Sequence, residues 1–229
     1  MENLEGQQRL AGSLLDPRTD RLGLLLDQFD RAREIAQARL EGMVSPASLP
    51  DGTPLVARQG GGRLTDEEYL WEPAPGAWSI RRRGQAASPR PFGPGEWVLD
   101  DAAEDPDPTP VTTIAWRLGH LHLDFAGSWE WTFGERRAPE ALVDFTPSAD
   151  LALERFWATV DRWRDSVAAV TPEQLDTVGF CQYPNSSAPE EPFITVIWSS
   201  NLEFIHHMAE IALLRDLWHA RSARRGVTG

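Results

Sequence analysis

The chain has 229 residues, 41% of them hydrophobic, the size and apolar content of one core-forming domain with or without long loops. A net charge of −13 repels phosphate backbones and anionic membrane surfaces, so neither nucleic acid nor a membrane is expected as a partner. The single cysteine, Cys181, excludes an internal disulfide framework and a Cys-rich zinc module. No stretch is apolar enough for a transmembrane helix, and the start MENLEGQQRL lacks signal-peptide character, so the cytoplasm is the expected location.

Residues 1–18 are polar and read as a tail, residues 19–220 as a single helical domain, and residues 221–229 as a basic, frayed end. Within the domain, Asp20 to Met43 carries Leu22, Leu25, Leu26, Phe29, Ala32, Ala36 and Leu40 at helical spacing, which predicts the first core helix. Residues 44–110 change character: eleven of the 18 prolines lie there, with the Gly60–Gly62 run and a Gly93-Pro94-Gly95 turn. Thr65-Asp-Glu-Glu68 has the form of a capping box and predicts a short helix; the rest reads as irregular. Trp71, Trp78 and Trp97 argue that this long connection packs against the domain, with Trp78 and Trp97 largely buried. The acidic run Asp100–Asp107 reads as a solvated turn.

Pro110 suits the first turn of a second helix that ends near Phe133, before Gly134. It carries His120 on the side of Thr113, Trp116, Asp124 and Gly127, and His122 on nearly the opposite side, so one of the two can join a common site. Ser148 caps a third helix over Ala149–Val170, and Thr171-Pro-Glu-Gln174 opens a short one. Phe180 to Pro192 reads as a loop in which Cys181 has no local activator and is a bystander.

The last helix, Ile197–Trp218, has apolar residues on nearly every side, the pattern of a buried helix. Yet Glu203, His206, His207 and Glu210 fall within one arc of it. Buried carboxylates and imidazoles are unfavourable unless paired, hydrogen-bonded or metal-bound. Glu203 and His207, at i and i+4, can reach one ion, and His206 with Glu210 forms a rival pair at the same spacing. Four long amphipathic segments without alternating strands predict an all-α fold built as a four-helix bundle.

Three stretches, LTDEEYLWEPAPGAWSI (Leu64–Ile80), LGHLHLD (Leu118–Asp124) and EFIHHMAEIALLRDLW (Glu203–Trp218), together resemble the DinB-like superfamily. The branch they resemble is the one related to mycothiol-dependent maleylpyruvate isomerase. The resemblance implies a four-helix bundle, often dimeric; in this chain the long Pro/Gly/Trp-rich connection joins helices 1 and 2. It also implies a divalent metal on three side chains, His120 from the second helix and Glu203 and His207 from the last, with His206 beside them. Two imidazoles and a carboxylate suit catalytic zinc with a free coordination position, and nickel or iron would accept the same set. The function implied is transfer or isomerisation of a small electrophile with a low-molecular-weight thiol such as mycothiol or bacillithiol. The alternatives are a non-catalytic stress or ligand-binding protein and a metal-dependent hydrolase. Arg81, Arg82 and Arg83 read as a solvated basic patch, with holding substrate carboxylates as the alternative, and Trp71, Trp78, Trp116 and Trp131 each as core packing, with walling an apolar pocket as the alternative.

Overall fold

The computed structural model describes residues 21–42, 62–102, 106–184 and 188–226. The tail expected over residues 1–18, residues 43–61 of the long connection and residues 227–229 lie outside the described residues. The described chain is predominantly helical. It contains α1 (Arg21–Glu41), α2 (Asp66–Tyr69), α3 (Ile114–Thr132), α4 (Ala149–Ala168), α5 (Pro172–Leu175) and α6 (Phe193–Gly226), with two short strands, β1 (Ile80–Arg82) and β2 (Trp97–Leu99). Among the described residues no helix is long and apolar enough to cross a membrane.

The apolar stripes read from the sequence meet in one core. α3 packs along α4 and α6, and α1 lies along α6 and touches α4. Each long helix contributes a buried phenylalanine to the centre: Phe29, Phe125, Phe156 and Phe204. The Phe29 and Phe204 rings are 5.0 Å apart, Phe125 and Phe204 6.0 Å, and Phe156 and Phe204 6.4 Å. Truncating one such ring to alanine costs roughly 3–5 kcal/mol, so this cluster fixes how the helices sit around the site.

Several helix limits follow from local chemistry. The Thr113 hydroxyl accepts the Trp116 N–H at 3.1 Å, so α3 starts at Ile114 and not at Pro110. Residues just before it are extended instead: the Trp78 N–H donates to the Val111 carbonyl and the Thr113 N–H to that of Trp78. Ser148 caps α4, and Thr171 with Gln174 completes a capping box on α5. At Thr65 half of the expected box forms. The Thr65 hydroxyl accepts the Glu68 N–H, but the Glu68 carboxylate turns to Arg215.

α6 is longer than expected at both ends. Its 34 residues extend about 51 Å at 1.5 Å per residue. The helix runs on through Gly226, into the stretch expected as a tail; the Arg221 guanidinium lies over the Trp71 and Trp218 rings. α6 is not buried all round. Phe204, Met208, Ile211 and Leu214 are buried, whereas Trp198, Leu202, Ile205, Leu213 and Leu217 form an apolar row 38% to 60% exposed.

The connection ahead of α3 is more ordered than its composition suggests. β1 and β2 pair antiparallel, Ile80 opposite Leu99 and Arg82 opposite Trp97. Asp100 is no solvated turn residue: it is fully buried. Its carboxylate accepts the backbone N–H groups of Ser79, Ala87 and Ser88 and the Arg81 side chain. Trp78 and Trp97, expected to be largely buried, are half-buried. The three neighbouring arginines are occupied within this segment. Arg81 pairs with Asp100 and Glu72, Arg82 with Glu96, and Arg83 donates to the Gly93 and Gly95 carbonyls.

Candidate functional site

The site lies where α3 and α6 face each other. His120 comes from the middle of α3, and Glu203 and His207 from consecutive turns of α6. One ligand-capable atom from each of the three lies within 4.8 Å of the other two. The His120 and His207 rings meet edge to face with centroids 5.0 Å apart, and His207 Nε2 is 3.2 Å from Glu203 Oε2. His207 is buried, while the Glu203 side chain is 45% exposed, so the cluster opens to solvent on the carboxylate side.

Each imidazole is held differently. His120 stacks on Trp116, with centroids 5.0 Å apart and planes 6° from parallel. Trp116 is itself anchored by its Nε1–H, which donates to the Asp100 carbonyl at 2.7 Å. The hairpin segment thus supports the site from behind, with Trp78 beside Trp116. Trp71 instead pairs with Trp218, and the Trp131 indole donates to the Arg137 carbonyl. His207 is gripped at Nδ1, 2.7 Å from Glu210 Oε2 and 3.0 Å from an Arg117 nitrogen, and Arg117 also pairs closely with Glu210.

Burial lowers both pKa values. That of His120 falls to about 4, with the neighbouring His207 and Arg117 adding to the effect, and that of His207 falls despite Glu210. Both rings are therefore neutral near pH 7, the form whose lone pair binds a metal. Two neutral imidazole nitrogens and one carboxylate, drawn from two helices and clustered in this way, fit a divalent ion. One turn beyond His120, Asp124 is half-buried, and desolvation with nearby Glu203 raises its carboxyl to about 7.

The remaining candidates lie apart. His122 faces away from the cluster, its Nε2 3.0 Å from Thr159 Oγ1 and its ring against Phe156. His206 is exposed and stacks on His207; it is 3.6 Å from Glu210, whose carboxylate turns to His207 and Arg117. His219 is half-buried beside Glu68. Cys181 is fully buried, and burial pushes its thiol pKa up, away from nucleophilic use. Sequence reasoning missed Arg117. The available signal was its position one helical turn before His120, with Glu210 one turn after His207.

A family model described as the DinB superfamily matches residues 95–211, more than half of the chain and a span that includes His120, Glu203 and His207. No curated protein and no solved structure matches the chain.

Proposed function

Because this chain belongs to the DinB superfamily, we propose that it is a divalent-metal-binding member in which His120, Glu203 and His207 hold the ion. The four long helices are then the four-helix bundle of that superfamily. The activity proposed is thiol-dependent S-transfer or isomerisation of a small electrophile, as in the branch related to mycothiol-dependent maleylpyruvate isomerase. The observation that carries the reading is the His–Glu–His cluster, three donors of suitable type within 4.8 Å of one another and open on one side. Zinc is the ion proposed, since this donor set is typical of its catalytic sites. When bound, a divalent ion supplies Lewis acidity that makes a nearby thiol or water more acidic.

The protein's own groups would do the rest. Trp116 holds His120 in place. Asp124, one turn beyond His120, stands where its carboxylate can accept a proton beside the cluster. Arg117 is committed to Glu210, which leaves the substrate's anionic groups to be recognised elsewhere. A homodimer is also proposed, with a second copy covering the exposed row on α6. That row spans Trp198 to Leu217, roughly 30 Å along one helix face, and suits an antiparallel pairing with its own copy.

The test combines metal and thiol measurements on the full chain. His120→Ala and His207→Ala should each weaken Zn²⁺ binding at least about tenfold, while His122→Ala should leave it unchanged. Zinc-dependent consumption of mycothiol or bacillithiol with a chromogenic electrophile would support the thiol reaction. Ester turnover without thiol would select a hydrolase, and zinc binding with neither activity a ligand-binding protein.

A further inference from the structure

Two groups converge on His207 Nδ1, Glu210 and Arg117, and the nitrogen can satisfy only one of them at a time. Glu210 Oε2, at 2.7 Å, can only accept a proton from it. Arg117, at 3.0 Å, can only donate one to it. If Nδ1 accepts from Arg117, the ring carries its proton on Nε2, the nitrogen 3.2 Å from Glu203 that faces the cluster. That tautomer has no lone pair to offer an ion. If Nδ1–H donates to Glu210, the Nε2 lone pair is free. Arg117 then spends its hydrogen bond on the same Glu210 oxygen, with which it is in close contact.

We propose that Glu210 is a positioning residue that selects the Nδ1–H tautomer of His207, and that it does so by engaging Arg117 as well as by accepting the imidazole proton. The inference rests on the reading of His207 as a metal ligand. Glu210 thereby has two effects. It holds the ring with Nε2 directed at Glu203, and it diverts Arg117, the donor at Nδ1 that would otherwise enforce the wrong tautomer. Both partners are well placed for this. Glu210 is one turn beyond His207 on α6, and Arg117 one turn before His120 on α3, so the network crosses the same interface as the cluster. The Glu210 side chain is 29% exposed and that of Arg117 20%, so neither contact is diluted as a fully solvated pair would be.

The experiment has two arms. In metal-free protein with ¹⁵N-labelled histidine, long-range ¹H–¹⁵N spectra report which His207 nitrogen carries the proton. Wild type should show Nδ1–H and Glu210→Ala should shift towards Nε2–H. In the second arm, Zn²⁺ affinity is measured by competition with a chromophoric chelator. Glu210→Ala should bind roughly ten- to a hundredfold more weakly. Arg117→Met in the Glu210→Ala background should recover part of that loss, because the competing donor is gone. Glu210→Gln, whose amide oxygen can still accept from Nδ1–H, should stay closer to wild type and serves if the alanine variant does not fold. Nε2–H in wild type, or unchanged affinity in Glu210→Ala, would overturn the proposal. Failure of the wild-type protein to bind Zn²⁺ would overturn the metal reading instead, and the spectra would still decide the tautomer.

Discussion

At the scale of single residues, a group beside the cluster, Asp124, has a placement that opposes folding. The Asp124 carboxyl rises from 3.8 to about 7 because it is desolvated and faces Glu203. Below pH 4 it is protonated in both folded and unfolded chains and has no effect. Between about 4 and 7 the unfolded chain releases the proton while the folded one keeps it, so stability falls as pH rises; above 7 the full penalty remains. Asp124→Asn in chelator-treated protein should therefore melt several degrees above wild type at pH 8 and at about the same temperature at pH 4, as read by circular dichroism. An equal gain at both pH values would refute the assigned cause. The sequence displays the Glu203/His207 pair because helical spacing alone places the two together. It left His120 and His122 undecided, since they sit on opposite faces of one helix and the partner face is unknown from sequence; the family resemblance singled out His120. Arg117 stayed hidden because its partners are 90 or more positions away.

At the scale of elements, the short helix α2 shows a local signal overridden by a distant one. Its TDEE start predicts a reciprocal cap, and Glu68 would complete it if nothing stronger competed. Arg215 competes, donating to Glu68 Oε1 at 2.6 Å and Oε2 at 3.2 Å in a pair that is almost fully buried. It also donates to the Gly62 carbonyl at 2.9 Å and closely to that of Arg39, so one side chain ties α1, the α2 approach and α6 together. A two-pronged, charge-assisted contact outweighs a single side-chain cap. Removing one partner strands a buried charge: Glu68→Leu or Arg215→Met should each cost about 3–5 kcal/mol in urea unfolding. The double variant Glu68→Leu/Arg215→Met should cost clearly less than the two together, and simple additivity would contradict the assignment. The same principle explains Asp100. From sequence it is one more acid in an acidic run, yet three backbone donors and Arg81 give it a reason to be buried.

At the scale of the whole molecule, the helical class was readable because each long segment carries an apolar stripe at helical spacing. The β1–β2 pair was not, since three-residue strands are too short to show alternation. The exposed row on α6 was misread as core because sequence shows that a face is apolar without showing what covers it. If a second copy covers it, Leu202→Glu and Leu213→Glu should each convert a dimer to a monomer in sedimentation experiments and leave Zn²⁺ affinity within about threefold of wild type. A wild-type monomer at all accessible concentrations would dispose of the dimer. The division of the three donors between helices has a mechanical consequence as well. Glu203 and His207 share one helix, so its pitch presets their spacing, whereas His120 belongs to α3 and stands roughly 80 residues earlier in the chain. An ion joining them would act as a cross-link, closing a long loop in a chain whose lone cysteine cannot form an internal disulfide. It would brace α3 against α6, so that separating these two helices requires giving up the ion.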